Sequence, residues 1–234
     1  MPTAVERREA LEAVFEQARG CVRCPQLAQA RTTVVFGSGD ADADLMFVGE
    51  APGANEDRLG VPFVGQAGKL LDRLLGEIGM ERGEVFVANV LKCHPPGNRD
   101  PQPAEIEACH DYLLRQIELI EPKVIATLGN FATRLLRADS TGIARLHGRP
   151  EIREIGARAV RLYPLYHPAA ALYARRTLET LREDFARIPA LLALGAPSQP
   201  EPIAIPAQEL PEPETPEPEP APVYVAADDQ LGLF

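Results

Sequence analysis

Apolar residues are arranged along this chain in two different spacings. Short, mostly apolar runs occur at residues 45–48 and 123–128, whereas at residues 70–78 apolar side chains recur every three or four positions. Short continuous runs are typical of buried strands, and the wider spacing is typical of amphipathic helices. Because the two patterns alternate, the sequence favours a parallel sheet covered by helices on both faces.

The pattern predicts a three-layer α/β/α fold built on a four-stranded parallel sheet. The four strands are predicted at residues 45–48, 84–91, 123–128 and 158–165. The main helices are predicted at residues 4–19, 66–79, 104–121 and 177–194, with a short helix from Gly129 to Leu136. Residues 32–37 are predicted to be extended, and the connections at 49–65, 92–103 and 142–148 are predicted to be loops.

The composition changes after Gly195. Ten of the 23 prolines lie at residues 197–222, interleaved with Glu, and neither Lys nor Arg occurs after Pro197. Such a segment cannot bury enough apolar surface to become ordered. We therefore predict a folded body at residues 1–195, a disordered linker at 196–226 and a separate terminal peptide at 227–234.

Much of the net charge of −10 comes from this tail. The tail holds eight of the 34 acidic residues, so the body has 26 acidic and 24 basic residues and can still present a local basic face. The N-terminus is charged and amphipathic, and no apolar run reaches transmembrane length. We therefore expect a cytoplasmic protein whose four cysteines do not form disulfides.

The four cysteines give the strongest indication of a metal. Cys21 and Cys24 form a C-x-x-C pair after the first helix, Cys93 lies in a predicted loop, and Cys109 lies in the next helix. Four thiolates can complete a tetrahedral zinc site or hold a cubane iron–sulfur cluster. The alternative is four buried free thiols. A redox-active pair fits less well, because no strand precedes Cys21. The spacing does not separate zinc from iron.

Polar and aromatic side chains gather where predicted strands end. Glu50 follows the first strand, Asn89 ends the second, His167 follows the fourth, and Phe63 lies in the first Gly-rich loop. The carboxyl ends of parallel strands share one sheet edge, where ligands bind in such folds. Gly49 would let the backbone approach a ligand closely. We predict a pocket for a small ligand with a polar edge, stacked on a ring; the alternative is an ordinary turn and a loop histidine.

Taken together and in this order, these motifs resemble the iron–sulfur branch of the uracil-DNA glycosylases, often called family 4. The resemblance covers about residues 10–194 and rests on residues 49–53 and 62–65, Asn89, His167-Pro168 and the four cysteines. It implies a [4Fe-4S] cluster with a structural rather than a redox role, bound by Cys21, Cys24, Cys93 and Cys109. It also implies the removal of uracil from DNA after the base has left the stack.

The resemblance assigns roles to the pocket residues. Phe63 would stack on the flipped base, and Asn89 would pair with the O4 and N3–H edge of uracil, where cytosine presents the opposite hydrogen-bond pattern. Backbone amides around Glu50 and Ala51 would help to hold the ring. His167 would donate to O2, where negative charge develops as the glycosidic bond breaks.

The sequence does not decide which carboxylate positions the attacking water. The best-known uracil glycosylases carry an Asp two residues past the first Gly of the loop, where this chain has Ala51. Glu50 is the nearest carboxylate and the favoured one, with Glu56 and Asp57 as alternatives. Covalent-trapping relatives carry an Arg-rich, His-containing insert after the second strand. Residues 93–96 lack it, so turnover is expected.

Residues 169–173 follow the histidine as a loop that enters the minor groove in relatives. Leu172 would fill the gap left by the flipped base, and Arg175 and Arg176 would hold phosphates. The alternative is an ordinary loop with a solvated charge pair.

The last five residues resemble the QLxLF peptide with which bacterial replication and repair proteins bind the sliding clamp. Gln230, Leu231, Leu233 and Phe234 would make the contacts, and the extended Pro/Glu linker would keep the body near the clamp. The alternative is an accidental apolar end.

Two other functions are compatible with the residues. One is a glycosylase of broader specificity, for hypoxanthine or xanthine, on the same scaffold. The other is a non-catalytic, zinc-stabilised DNA-repair adaptor. The favoured interpretation is a monomeric, nucleoid-associated uracil-DNA glycosylase.

Overall fold

A mixed sheet forms the centre of residues 3–200, the part of the chain that the computed structural model describes. Its six strands are β1 (Ser38–Gly39), β2 (Leu45–Gly49), β3 (Phe86–Asn89), β4 (Val124–Leu128), β5 (Glu151–Ile155) and β6 (Arg158–Leu165), in the order β1-β3-β2-β4-β6-β5. The pairs β3–β2, β2–β4 and β4–β6 are parallel. The predicted four-stranded parallel sheet is therefore confirmed, with an antiparallel strand added at each edge.

Ten α-helices accompany the sheet within the described residues. They are α1 (Ala4–Arg19), α2 (Pro25–Ala30), α3 (Ala54–Leu59), α4 (Gln66–Glu77), α5 (Pro103–Ile120), α6 (Asn130–Arg137), α7 (Ile143–Leu146), α8 (Pro168–Ala171), α9 (Arg175–Phe185) and α10 (Ile188–Ala193). Short 3-10 turns occur at Arg82–Glu84 and Pro96–Asn98. No helix in this part of the chain is long and apolar enough to cross a membrane.

The helices and strands differ from the predicted ones mainly at their ends. The helix predicted at 177–194 is two helices, α9 and α10, because Pro189 near the start of α10 has no amide hydrogen to continue a helix. The loops predicted at 49–65 and 142–148 contain the short helices α3 and α7. The extended segment predicted at 32–37 leads into β1, which pairs at Ser38–Gly39.

Strand β5 was not predicted because its sequence is mostly charged. Glu151, Arg153 and Glu154 are partly or fully exposed, Ile152 is 62% exposed, and Ile155 is buried. An edge strand with one solvated face and few apolar residues lacks the continuous run that marks a central strand.

Two apolar layers cover the two faces of the sheet. Met46 and Val48 of β2 face a cluster that includes α1 and α5, whereas Leu45 and Phe47 face a cluster that includes α4 and α9. Both faces are therefore buried, which explains why β2 reads as an unbroken apolar run rather than an alternating one.

The folded body continues past the predicted boundary at residue 195. Pro197 is buried, and the side chain of Gln199 exchanges two hydrogen bonds with the backbone of Ala159, of 3.1 and 2.9 Å. The rest of the predicted linker, residues 201–226, and the terminal peptide at 227–234 lie outside the described residues, as do residues 1–2.

Helix α4 packs directly on the backbone of the Gly-rich loop. A Cβ atom on Gly68 would collide with the carbonyl group of Phe63. Phe63 itself has a positive φ of 56°, a conformation that costs a non-glycine residue roughly 1–3 kcal/mol. The backbone of Phe63 therefore keeps this unfavourable conformation while packed against Gly68 of α4.

We predict that Gly68→Ala destabilises the protein by about 1–3 kcal/mol, because the added methyl group overpacks a contact between two backbones. Gly76→Ala is the matched control on the same helix, where a Cβ meets nothing within 4 Å. It should stabilise the protein by about 0.5–1 kcal/mol through helix propensity. Urea unfolding of both variants checks this, and equal effects would contradict the packing argument.

Candidate active site and metal centre

Three strand ends converge on one cavity of about 410 Å³. Glu50 follows β2, Asn89 ends β3 and His167 follows β6, and all three line the cavity together with Phe63. The rest of the wall comes from the loops and helices that follow β2, β3 and β6, with Ala51, Pro52, Gly53, Glu56, Ala67, Pro95, Asn98, Arg99 and Ala169. The structure therefore brings together the pocket residues that the sequence placed at one sheet edge.

Asn89 presents an unsatisfied polar atom at this cavity. Its side chain is almost completely buried, with 2% exposure, and its Oδ1 has no hydrogen-bond partner among the described residues. A Cβ atom on Gly49 would collide with this Oδ1 and would lie 2.8 Å from Cζ of Phe63. Only glycine leaves room for both side chains here. A buried amide oxygen without a partner costs roughly 1–3 kcal/mol, so it points to a ligand that donates a hydrogen bond.

His167 has a defined tautomer in this structure. The backbone N–H of Ala169 donates to its Nδ1 over 3.1 Å, so Nδ1 carries no proton and the neutral ring holds its proton on Nε2. Burial lowers the pKa of His167 to about 4, which keeps the imidazole uncharged near neutral pH. The ring stacks on Phe63 with centroids 5.6 Å apart. The site therefore contains a neutral imidazole that can donate from Nε2.

The three candidate carboxylates have different surroundings. Oε1 of Glu56 accepts hydrogen bonds from the backbone of Val64 and Gly65, each of 3.0 Å. Asp57 is buried and accepts from the amide of Thr32 over 2.8 Å, so its carboxylate serves the fold rather than the cavity.

Glu50 is the carboxylate left free to act on a ligand. It lines the cavity, and its side-chain carboxylate makes no hydrogen bond or ion pair within residues 3–200. Burial, with a smaller contribution from Asp100, raises the pKa of Glu50 above its usual value.

Hydrogen bonds fasten the two loops of the pocket to each other. The amides of Val90 and Leu91 donate to the carbonyl groups of Gly49 and Glu50 over 2.9 and 3.0 Å. Farther along, Nδ1 of His94 lies 2.8 Å from the carbonyl oxygen of Pro52. Ala51 lies between these contacts on the cavity wall. The loop after β2 and the loop after β3 therefore form one wall.

The predicted DNA-contact residues differ in exposure. Leu172 is partly buried and packs against the apolar cluster that includes α4 and α9, whereas Tyr173 is 94% exposed. Arg175 and Arg176 are exposed, and Nε of Arg175 contacts Glu179 over 3.0 Å. Tyr173 was predicted only as part of the loop at residues 169–173 and not as a contact residue. The direction of each side chain depends on how the four-residue helix α8 ends, which the sequence pattern does not define.

All four cysteines line one small, separate cavity of about 20 Å³. Cys21 and Cys24 precede α2, Cys93 follows β3, and Cys109 lies on α5. Three N–H groups point at their sulfur atoms, namely Nη1 of Arg31 at 3.3 Å from Cys93, the amide of Lys92 at 3.3 Å from Cys109, and Nε of Arg23 at 3.5 Å from Cys21.

This arrangement fits a metal group chemically. Four sulfur ligands suit zinc or an iron–sulfur cluster, and N–H donors stabilise negative charge on sulfur. Within residues 3–200, no set of three or more His, Cys, Asp or Glu side chains is placed to hold a single metal ion.

The fold and this site define a ligand-binding α/β/α protein that also has a four-cysteine centre. Residues 36–189 match the family model described as the uracil DNA glycosylase superfamily. The chain is 45% identical over 185 residues to a type-4 uracil-DNA glycosylase of Sulfurisphaera tokodaii, covering 77% of this chain and 84% of the relative.

Two further type-4 uracil-DNA glycosylases are each 44% identical to this chain. The relative from Archaeoglobus fulgidus matches 77% of this chain and 92% of its own length, and that from Saccharolobus solfataricus matches 76% and 84%. The chain therefore belongs to the uracil-DNA glycosylase superfamily, in its type-4 branch. The family predicted from the motifs is confirmed.

Proposed function

We propose that this protein is a uracil-DNA glycosylase of base-excision repair, which hydrolyses the bond between uracil and deoxyribose and leaves an abasic site. The observation that carries the proposal is the buried, unpartnered Oδ1 of Asn89 in a cavity that also contains Phe63 and His167. Membership of the type-4 branch supports it.

Asn89 selects the base by hydrogen-bond pattern. N3–H of uracil donates to its Oδ1, and its amide nitrogen donates to O4 of the base. Cytosine carries an acceptor at N3 and a donor at C4, so both contacts would be mismatched. Phe63 provides the face on which the flipped base stacks, a contact worth about 1–3 kcal/mol.

His167 and Glu50 serve the bond-breaking step. As the bond between C1′ and N1 breaks, its electron pair moves into the uracil ring and places negative charge on O2. The Nε2–H of the neutral His167 donates to that oxygen, and a preorganised donor at developing charge is a large catalytic contribution. Glu50 positions the attacking water by accepting a hydrogen bond from it. As the oxygen of that water bonds to C1′, the proton that the water loses passes to Glu50 and then to solvent, while uracil leaves as the anion.

The metal group that we propose is a [4Fe-4S] cluster held by Cys21, Cys24, Cys93 and Cys109. When bound, it would supply a covalent crosslink between the N-terminal segment and the middle of the chain. The site residues Asn89 and His167 act without it in the reaction itself. The N–H donors of Arg23 and Arg31 would balance part of its negative charge.

DNA would be held around the mouth of the base pocket. We retain Leu172, Arg175 and Arg176 as DNA contacts and add Tyr173. The ring of Tyr173 is exposed and available to stack on a base, whereas the side chain of Leu172 is partly buried against the apolar cluster that includes α4 and α9. Residues 93–96 lack the Arg-rich, His-containing insert of the covalent-trapping relatives, which supports release of the product with turnover.

We also propose that the terminal peptide binds a bacterial sliding clamp through Gln230, Leu231, Leu233 and Phe234. These residues lie outside the described part of the chain. The proposal is supported by the QLxLF pattern and by its position after a long Pro/Glu segment.

Replacing Asn89 by Asp should slow uracil excision by about ten- to a hundredfold, since a carboxylate cannot donate to O4 and a lost buried pair costs about 1–3 kcal/mol. Single-turnover excision from uracil-containing oligonucleotides measures this. Asn55→Asp is the matched control, because Asn55 is exposed on α3. Substrates with hypoxanthine or xanthine test the broader specificity. Unchanged uracil excision by the Asn89 variant would remove that residue from the pocket.

Replacing Cys93 or Cys109 by Ala should give a colourless, poorly soluble protein, because each thiol is buried in the shared cavity. Iron and sulfide analysis together with the visible spectrum measures the loss. The wild-type protein should be brown, with broad visible absorbance. A colourless wild-type protein containing zinc would favour the adaptor hypothesis, and full iron retention in both variants would refute the ligand assignment.

A peptide of residues 226–234 should bind a bacterial sliding clamp weakly, and the double change Leu233→Ala and Phe234→Ala should abolish binding. Fluorescence titration measures both peptides. In the whole protein, the same double change should leave excision from short oligonucleotides at the wild-type rate. Equal clamp binding by the intact protein and the double variant would show that the peptide is not the contact.

A further inference from the structure

Lys92 is a lysine buried between the base pocket and the four-cysteine centre. Its exposure is 1%, and its Nζ donates to the carbonyl oxygen of Asn89 over 2.8 Å and to Oε1 of Gln116 over 2.5 Å. Its backbone amide donates to Sγ of Cys109 over 3.3 Å. One residue therefore contacts both the strand end that carries the base-reading amide and a proposed cluster ligand.

The charge of this side chain needs a partner. A buried ammonium is costly unless an opposite charge lies close by. Within residues 3–200, no carboxylate forms an ion pair with Lys92. Lys92 instead lines the same cavity as Cys21, Cys24, Cys93 and Cys109. Thiolates that bind a metal group would supply the missing negative charge from the interior side.

The other cations at this centre lie nearer to solvent. Arg23 is exposed, with its guanidinium 4.2 Å from the ring centroid of Tyr112, and Arg31 is partly exposed. Each contacts one sulfur atom. Lys92 differs because it is fully buried and because its Nζ is committed to the carbonyl group of Asn89.

Only two residues, Val90 and Leu91, separate Lys92 from Asn89 along the chain, and both are held in place by hydrogen bonds. Residues 90 and 91 are hydrogen-bonded to the carbonyl groups of Gly49 and Glu50, so the segment from Asn89 to Lys92 has little freedom. The side-chain Oδ1 of Asn89 has no hydrogen-bond partner among the described residues. The hydrogen bond from Lys92 to the backbone carbonyl of Asn89 therefore restrains the backbone from which that side chain projects.

We propose that Lys92 is a positioning residue, which holds Asn89 in the geometry that reads the base and supplies the buried positive charge that faces the metal centre. The inference rests on the proposed function, since it takes Asn89 as the base-reading residue and the cysteines as cluster ligands. It couples two sites that the sequence placed in separate motifs.

The test compares Lys92→Met, which keeps an unbranched stem of similar length without the charge, with Lys123→Met. Lys123 is the matched control because its ammonium forms a surface ion pair with Asp44 at 2.6 Å. The ligands are three duplexes of one sequence, containing a non-cleavable fluorinated deoxyuridine, an abasic-site analogue or thymine. Equilibrium binding to each duplex and iron content during exposure to air are measured.

We expect Lys92→Met to bind the uracil-analogue duplex about tenfold more weakly than the wild type, with affinity for the abasic duplex within twofold. It should also lose iron several times faster in air. Lys123→Met should match the wild type throughout. Equal losses on both duplexes would overturn the proposal in favour of a merely structural role, as would wild-type affinity for the uracil analogue or wild-type iron retention.

Gln116→Met provides a second variant if Lys92→Met fails to fold, because it removes one acceptor of the ammonium and leaves the lysine in place. We expect about threefold weaker binding of the uracil-analogue duplex and unchanged binding of the abasic duplex; no uracil-specific loss would overturn the proposal. A wild-type protein that binds the uracil analogue no better than thymine would overturn the proposed function itself.

Discussion

The site depends on hydrogen bonding between two adjacent chain segments that continues beyond the ends of β2 and β3. The amides of Val90 and Leu91 donate to Gly49 and Glu50, so the segments stay side by side where the sheet ends. This keeps Glu50 and Asn89 at the same cavity and directs the following residues toward the cysteines. A parallel pair of strands thus sets the spacing of the pocket and connects it to the metal centre.

Much of the fold was predictable from the sequence because the four central strands are largely buried on both faces and are mostly apolar. β5 was not, because its exposed charged residues give no apolar run. The strand-end residues Glu50, Asn89 and His167 were found by the same logic, since parallel strands bring their ends together. The surroundings of these residues could not be predicted from the sequence. The hydrogen bonds from backbone amides to Glu56 and the burial of Lys92 next to Asn89 depend on how the loops pack against the helices.

The pocket holds several groups at a cost to stability. Asn89 has a buried oxygen without a partner, Phe63 has a positive φ, and His167 is desolvated enough to lower its pKa to about 4. Each is an arrangement that a ligand would relieve or use, and the surrounding core supplies the stability that maintains it. The free protein is therefore prepared for its substrate rather than optimised for its own folding.

The charged residues of β5 oppose the addition of a further strand at this edge of the sheet. A sheet edge offers unpaired amides and carbonyl groups to which another chain can add a strand, and charged residues on an edge strand oppose such growth. β5 closes one side of the sheet with Glu151, Arg153 and Glu154 around the exposed Ile152. At the other side, β1 has only two residues, which offers little length for pairing. Both ends of the sheet thus resist extension into an aggregate.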